Sequence, residues 1–105
     1  MAELRTYLDL ARRLGLLRAQ HPQAGGLKAA RIHYRGEVSS KNTKLITASF
    51  TSGLLEAALD ENVNIVNAEM MAKERGIEIT ESSSSEVGDF STLIRATIET
   101  EHGQP

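Results

Sequence analysis

Residues 30–35 read ARIHYR, a stretch in which apolar side chains alternate with basic or imidazole side chains. Successive side chains of a β-strand point to opposite faces, so this period of two predicts a half-buried strand. We expect its apolar face to carry Ala30, Ile32 and Tyr34. Its polar face then carries Arg31, His33 and Arg35, spaced about 7 Å from one to the next.

A helix is predicted on each side of this strand. Upstream, residues 3–19 place apolar side chains at intervals of three and four, which is typical of an amphipathic helix. Gly15 weakens its interior by about 1 kcal/mol relative to alanine. Downstream, Thr43 is placed to cap a helix that runs to about Leu59. The apolar residues of this second helix cover a wide arc, so we expect it to pack on two neighbours, with Gly53 permitting a close backbone contact.

A third, shorter helix has the clearest boundaries. Residues 63–77 read VNIVNAEMMAKERGI. Asn67 is expected to cap a helix that begins at Ala68, and Gly76 stands where a left-handed backbone ends it, with Ile77 making the closing apolar contact. Asn64 and Asn67 could contact a ligand, but caps and turns are the stronger interpretation for asparagine.

Two further strands follow. Ile77 and Ile79 alternate with polar residues up to Thr80, and the same period of two returns over residues 94–99. Residues 82–89 are polar and predict a solvated hairpin loop between the two strands. The order helix, strand, helix, helix, strand, strand predicts an α+β fold, a small antiparallel sheet packed against two or three helices. With 105 residues, the chain has room for a single domain, residues 1–105.

The composition excludes several classes of function. Twelve Lys and Arg against fourteen Asp and Glu give a net charge of −2 and leave no broad basic field, so we expect no nucleic acid and no membrane as partners. No stretch approaches the ~20 apolar residues of a membrane span, and the N-terminus shows no signal-length apolar run. We therefore expect a cytoplasmic protein. The absence of cysteine excludes disulfides and thiolate chemistry.

No pattern in the sequence announces catalysis. The three histidines are scattered, and the sequence has no nucleophile motif, no compact metal-ligand spacing and no glycine loop of the kind that binds phosphate. We therefore expect no catalytic, cofactor-binding or metal-binding residues. The best local candidate is an anion-binding face made of Arg31, His33 and Arg35, which could hold a phosphate or carboxylate through charge-assisted hydrogen bonds. The alternative, which we favour, is cross-strand pairing of these residues with Glu78, Glu81 or Glu99.

The run VNIVNA at residues 63–68 and the run KERGI at residues 73–77 resemble a signature of the intervening domain of long-form D-3-phosphoglycerate dehydrogenases. In that family this domain, also called the allosteric substrate-binding domain, lies between the substrate domain and a C-terminal ACT domain. The resemblance spans nearly the whole chain. It also includes Tyr7, Leu8, Leu10, Ala11, Leu14, Gly15, Tyr34, Gly36, Glu37, Gly53, Leu54, Leu55 and Leu93.

The resemblance implies a role in a larger enzyme. Such dehydrogenases oxidise 3-phosphoglycerate with NAD at the entrance to serine biosynthesis, and their catalytic and NAD-binding residues lie in other domains. The chain is then a regulatory and assembly domain that needs no cofactor of its own, with the remaining domains of the parent enzyme as partners and a homo-oligomer as the expected assembly.

Two further expectations concern ligands and edges. In some members the domain binds a phosphorylated effector, through basic residues in a segment after the last strand. The alternative function is a stand-alone anion- or phosphate-binding module that uses Arg31, His33 and Arg35. A free edge on the last strand would seek another chain, which predicts a dimer or a larger species.

Overall fold

The described part of the chain contains three α-helices and three strands. The computed structural model describes residues 3–20, 26–59, 61–84 and 92–100. In chain order the elements are α1 (Leu4–Arg18), β1 (Leu27–Gly36), a 3₁₀ turn (Glu37–Ser40), α2 (Thr43–Leu59), α3 (Ala68–Glu74), β2 (Glu78–Ser84) and β3 (Thr92–Thr100). The predicted α+β class is confirmed, and so is each predicted helix and strand.

The strands form one mixed sheet in the order β2-β1-β3. β1 pairs with β3 antiparallel and with β2 parallel, so the sheet is not antiparallel throughout. The predicted hairpin between β2 and β3 is wrong, because these strands lie on opposite edges of β1. The chain passes through α2 and α3 between β1 and β2, and a parallel pair needs such a crossover.

β2 is longer than the sequence predicts. Ser82, Ser83 and Ser84 were expected in a polar loop, but they continue the strand and pair with His33, Tyr34 and Arg35 of β1. Serine has no preference for strands, so the backbone ladder with β1 rather than local propensity sets this end of β2. The rest of the predicted loop lies outside the described residues, as do the helix stop near Pro22 and the predicted turn at residues 102–105.

The two faces of the sheet differ in what covers them. Ile32 and Tyr34 of β1 are fully buried against α2, where Phe50 and Leu54 are fully buried as well. On the opposite face Arg31 and the other polar side chains of the sheet are mostly exposed. The helices therefore cover one face, and we call the other the open face, defined by Ala29, Arg31, His33, Arg35, Glu78, Thr80, Ser82, Ser84, Leu93, Arg95, Thr97 and Glu99.

Helices α1 and α2 cross at two glycines. A Cβ atom at Gly15 would overlap the carbonyl oxygen of Phe50 and lie 2.7 Å from the amide nitrogen of Leu54. A Cβ atom at Gly53 would overlap the carbonyl oxygen of Arg12. The close backbone contact expected at Gly53 is confirmed. Gly15, which was expected only to weaken its helix, makes the second close backbone contact of the same crossing.

Polar contacts support the same crossing. The buried hydroxyl of Ser49 donates a hydrogen bond of 2.7 Å to the carbonyl oxygen of Leu8. Arg12 Nη2 lies 2.9 Å from Glu56 Oε2, with both side chains more than a third exposed. An ion pair this exposed contributes little, so packing around the glycines carries the contact between α1 and α2.

The helix caps differ in part from those predicted. Helix α2 begins at Thr43, and the side-chain oxygen of Asn42 accepts a 3.2 Å hydrogen bond from the amide of Leu45. Thr43 is therefore not the cap, because the helix starts one residue earlier than expected. The first turn of α3 has no side-chain cap from Asn67.

The end of α3 is as predicted. Gly76 adopts φ 71°, a left-handed conformation that glycine reaches without strain. The amide of Gly76 donates to the carbonyl oxygen of Lys73 at 3.1 Å, and the amide of Ile77 donates to that of Ala72 at 2.8 Å. Ile77 then closes a second apolar cluster with Leu55, Val63, Ala68 and Ala72. Helix α2 thus packs against α1 on one side and α3 on another, as its wide apolar arc predicts.

Replacing Gly53 with alanine tests the crossing. In an exposed helix this change stabilises by about 1 kcal/mol, because glycine is the poorer helix former. At Gly53 the new methyl group meets the Arg12 backbone, so we expect the free energy of unfolding to fall by about 3 kcal/mol. Urea denaturation measures it, with Ala57→Gly on the exposed side of α2 as a control for propensity alone. An increase in stability for Gly53→Ala would contradict the packing described here.

Candidate functional site

The open face brings together the three residues that the sequence marks as an anion-binding candidate. Arg31, His33 and Arg35 all point to this face from β1, which runs between the other two described strands. The two arginines are exposed and His33 is half-buried. Their predicted placement on one strand face is confirmed, whereas their binding of an anion remains a prediction.

His33 is held by two serines of β2. Its Nδ1 lies 2.7 Å from Ser82 Oγ, and its Nε2 lies 3.2 Å from Ser84 Oγ. A hydroxyl can donate or accept, so both contacts can persist when the imidazole is neutral or protonated. A nucleophilic serine needs a base that a third group orients, often a carboxylate, and here the second nitrogen meets another hydroxyl instead. The arrangement positions the ring and does not form a triad.

Arg95 of β3 joins this face, and sequence analysis missed it as a site residue. It is directly opposite His33 in the antiparallel register, and Arg31 and Arg35 lie diagonally from it. The alternation of residues 94–99 does place Arg95 on the polar side of its strand. What the sequence lacked was the register, because nothing in it indicates that β3 pairs with β1.

The carboxylates expected to pair with the basic residues lie elsewhere. Glu78 of β2 and Glu99 of β3 are both opposite Ala29, at the other end of the face. Glu81 is opposite Ile32, which places it on the helix-covered side. The register sets Thr80, Ser82 and Ser84 directly across from the three residues, so none of these glutamates is directly opposite them. Glu78 and Glu99 remain diagonal neighbours of Arg31, and the favoured interpretation, cross-strand pairing, stays a prediction.

A groove of about 300 Å³ opens on the other side of β2, between that strand and helices α2 and α3. Its apolar walls include Ala48, Ala72 and Ile79, and charged residues of both signs, such as Lys73 and Glu81, surround it. The charges largely balance one another, and Lys73 lies 3.6 Å from Glu69 on its own helix. The volume of this groove lies at the lower end of the range that is typical of small-molecule sites.

A hydrogen-bond chain connects this groove to the core. Thr47 donates through its hydroxyl to Glu81 Oε1 at 2.8 Å, and Tyr34 Oη lies 2.7 Å from Thr47 Oγ1. Because an ionised carboxylate only accepts, the Thr47 proton goes to Glu81 and the Tyr34 hydroxyl donates to Thr47. Burial raises the pKa of Tyr34 well above its usual range, and the negative charge of Glu81 adds to this rise.

The two asparagines have structural roles. Asn64 Oδ1 accepts hydrogen bonds from the amides of Val66 and Asn67, at 2.8 and 3.0 Å. Asn67 Oδ1 accepts one from the amide of Asn64 at 2.9 Å. The turn before α3 is thus closed by a reciprocal pair of asparagine side chains, which confirms their role in the turn. The Asn67 side chain bonds to the backbone of Asn64, which precedes it, and not to the amides of its own helix.

The described residues lack two features that would point to other classes of function. They contain no group of three or more histidine or acidic side chains placed to share a metal ion. No helix among them is long and apolar enough to cross a membrane. His21 and His102, the other two histidines of the chain, lie outside the described residues.

Comparison with known proteins gives a family match over nearly the whole chain. The family model described as the D-3-phosphoglycerate dehydrogenase intervening domain matches residues 3–105. A D-3-phosphoglycerate dehydrogenase of Synechocystis sp. is 40% identical over 93 residues, covering 87% of this chain and 16% of that protein. One from Methanocaldococcus jannaschii is 35% identical over 101 residues, covering 96% of this chain and 19% of that protein.

A plant protein shows the same relation. The chloroplastic D-3-phosphoglycerate dehydrogenase 2 of Arabidopsis thaliana is 37% identical over 84 residues, covering 77% of this chain and 14% of its own length. The chain thus spans less than a fifth of each of these three relatives.

Replacing Thr47 with valine tests the hydrogen-bond chain. Valine keeps the shape of threonine but leaves the buried Tyr34 hydroxyl without its close partner, so we expect the free energy of unfolding to fall by about 2 kcal/mol. Thr51→Val, one turn further along α2, is the matched control, because its hydroxyl only bonds back to the Thr47 carbonyl oxygen. Equal losses for the two variants in chemical denaturation would contradict the role given to Thr47.

Alkaline pH tests the burial of Tyr34. An unfolded tyrosine loses its proton near pH 10, whereas the raised pKa in the folded chain retains it there. The folded state then binds more protons, so this contribution to stability is complete below about pH 10 and is lost as the pH rises further. We expect the unfolding free energy of wild type to fall more steeply above about pH 10 than that of Tyr34→Phe. Parallel pH profiles would contradict this assignment.

Proposed function

Because the chain belongs to the family of D-3-phosphoglycerate dehydrogenase intervening domains, we propose that it is the assembly and regulatory domain of such a dehydrogenase. The observation that carries the proposal is the family match over residues 3–105, together with a chain that spans less than a fifth of the relatives it matches. A domain of this kind supplies contacts between other parts of a larger enzyme.

The chemistry of the whole enzyme then takes place outside this chain. In our proposal the parent oxidises 3-phosphoglycerate with NAD in serine biosynthesis, in the cytoplasm, and its substrate and NAD are bound by other domains. The described side chains are consistent with this division of roles. The polar groups of the open face lie on a flat, solvated surface, and an active site normally encloses its reacting groups in a cleft.

Exposed apolar side chains on α1 support a role in assembly. Leu10 is 50% exposed and Leu17 is 60% exposed. They lie seven residues apart on the 15-residue helix α1, hence on nearly the same side, away from the stripe of Tyr7 and Ala11 that is buried in the core. A second apolar side of this kind is typical of a helix that packs on another element.

Exposed apolar side chains also occur beside α3. Val66 is 88% exposed and Met70 is 57% exposed, one helical turn apart. Helix α3 has only 7 residues, so it offers a smaller contact surface than α1. We therefore assign the main subunit contact to Leu10 and Leu17, and a second copy of the chain is the partner proposed for it.

Self-association of the 105-residue chain tests the assembly role. We expect sedimentation to show a dimer or larger species whose fraction rises with concentration, and Leu10→Gln with Leu17→Gln to shift it to monomer. Val66→Gln with Met70→Gln removes as many apolar side chains elsewhere and is expected to leave the association unchanged. A monomer at every concentration, or equal effects of the two pairs, would contradict the proposed contact.

Turnover tests the absence of chemistry in this domain. The purified chain mixed with 3-phosphoglycerate and NAD is expected to form no NADH above background, since the proposal assigns catalysis to other domains. Formation of NADH in proportion to the amount of chain would overturn the proposed division of roles.

A further inference from the structure

We propose that the groove between β2, α2 and α3 is a binding site for a free amino acid with a branched aliphatic side chain. The inference goes beyond the assembly role and does not depend on it. It rests on two features of the groove, a buried apolar floor and a mouth that carries a cation and a carboxylate next to one threonine.

Regular secondary structure sets the positions of the side chains that line the groove. On α2, Lys44, Thr47 and Thr51 follow one another at intervals of three and four residues and therefore share one side of the helix. On β2, Ile79 and Glu81 are two residues apart and share one side of the strand. Helix α3 closes the third side, so the groove is a fixed feature of the fold.

The floor of the groove is apolar and mostly buried. Ala72 is 2% exposed and Ile77 is 5% exposed, and both belong to the apolar cluster against which Ile79 packs. Ala48 of α2 adds a methyl group. A ligand group that rests on this floor loses its contact with water, so binding there favours an apolar group.

The two threonine hydroxyls of the wall already donate their protons within the protein. Thr47 donates to Glu81 Oε1 at 2.8 Å, and Thr51 donates to the carbonyl oxygen of Thr47 at 2.8 Å. Neither hydroxyl has a second proton to donate to a ligand. A polar ligand side chain would therefore give up hydrogen bonds to water without full replacement, which again favours an apolar one.

The mouth of the groove carries two opposite charges next to Thr47. Glu81 accepts the hydrogen bond from Thr47 through Oε1, and its Oε2 has no partner among the described residues. Lys44 lies one helical turn before Thr47, and its ammonium group forms no hydrogen bond or ion pair within the described part of the chain. Both charged side chains are exposed, so one ligand can reach a donor and an acceptor at the same mouth.

An α-amino acid matches this arrangement. Its ammonium group and its carboxylate are attached to the same carbon atom, so it can donate to Glu81 and accept from Lys44 through charge-assisted hydrogen bonds. Its side chain then points to the floor. A monocarboxylic acid would bring its charge close to Glu81, and a monoamine would bring its charge close to Lys44, so each gains one contact and meets one repulsion. The other charged pair of the rim, Lys73 and Glu69 on α3, lies 3.6 Å apart and adds no net charge.

The volume of the groove limits the size of the ligand. The groove encloses about 300 Å³. Because a water molecule takes up about 30 Å³ in the liquid, this space accommodates about ten non-hydrogen atoms, the size of a branched aliphatic amino acid. An amino acid with a bicyclic aromatic side chain is too large for it.

Titration of the 105-residue chain with L-leucine tests the site, followed by the NMR signals of the Ile77 and Ile79 methyl groups on the floor. Three other compounds each lack one recognised feature. The first, 4-methylpentanoate, has no ammonium group, 3-methylbutylamine has no carboxylate, and L-serine has no aliphatic side chain. We expect saturable shifts with L-leucine and an affinity about tenfold or more above that of each other compound, since each loses a charge-assisted hydrogen bond or the burial of an apolar group.

Two variants assign the two charged ends of the ligand. Lys44→Gln is expected to lower the affinity for L-leucine about tenfold without weakening the binding of 3-methylbutylamine, which has no carboxylate for Lys44 to bind. Glu81→Gln is expected to lower the affinity for L-leucine by a similar factor without weakening the binding of 4-methylpentanoate. Its amide oxygen can still accept the hydrogen bond from Thr47, so the wall of the groove is retained.

The control variants remove the same charges elsewhere. Arg13→Gln, on the exposed outer side of α1, and Glu99→Gln, on β3 at the opposite edge of the described sheet, are expected to leave the affinity for L-leucine unchanged. Binding of L-leucine should also raise the Tm of wild type more than L-serine does at equal concentration, because a ligand of the folded state stabilises it.

Three results would overturn the proposal. One is the absence of saturable shifts at Ile77 and Ile79 with L-leucine. Another is an equal affinity for L-leucine and any of the other three compounds, because the groove would then not recognise both charges and the side chain together. The third is an equal loss of affinity in the control and groove variants, which would mean that only the overall charge matters. Tighter binding of L-leucine that both groove variants weaken and both controls retain supports the site.

Discussion

Strand β1 is the element on which the rest of the described structure depends, because it pairs on both edges and faces different surroundings on its two sides. Its alternate residues Ile32 and Tyr34 are fully buried beneath α2. The residues between them cannot be buried at the same time, since successive side chains of a strand point in opposite directions. The burial that holds the helices on the sheet therefore also sets the basic side chains in solvent.

This constraint links the packing of the core to the set of side chains on the open face. A shift of β1 by one residue would put Ile32 in water and Arg31 under α2, which is too costly to occur. The register with β3 then fixes Arg95 beside His33 and diagonal to Arg31 and Arg35. The core thus determines which polar side chains share the open face.

The contact of α1 with α2 leaves an apolar outer side of α1 exposed to solvent. Because Gly15 and Gly53 bring the helix backbones together, α1 lies low on α2 and buries its Tyr7 and Ala11 side. Its outer side retains Leu10 and Leu17 in solvent. In the proposed account, this outer side of α1 serves assembly.

How much the sequence could predict depends on whether a feature is local. The half-buried character of β1 and the end of α3 at Gly76 follow from neighbouring residues, and both are confirmed. The partners of β1 do not, because strand pairing depends on how α2 and α3 pack between β1 and β2. The alternation of β1 therefore predicts that Arg31, His33 and Arg35 share one face. The position of Arg95 beside them, the inclusion of Ser82 and Ser84 in β2 and the residues opposite the basic side chains all depend on the register between strands, which the sequence does not reveal.

Amide hydrogen exchange of the 105-residue chain tests most directly the claim that β1 is the central strand with one covered and one open face. In the sheet formed by the described residues, β2 and β3 lie at the edges, whereas β1 is paired on both sides. The account predicts that amides along β1, including those of the exposed Arg31 and Arg35, exchange most slowly and only through global unfolding. Exchange of the β1 amides as fast as that of outward-pointing amides in β2 would contradict it.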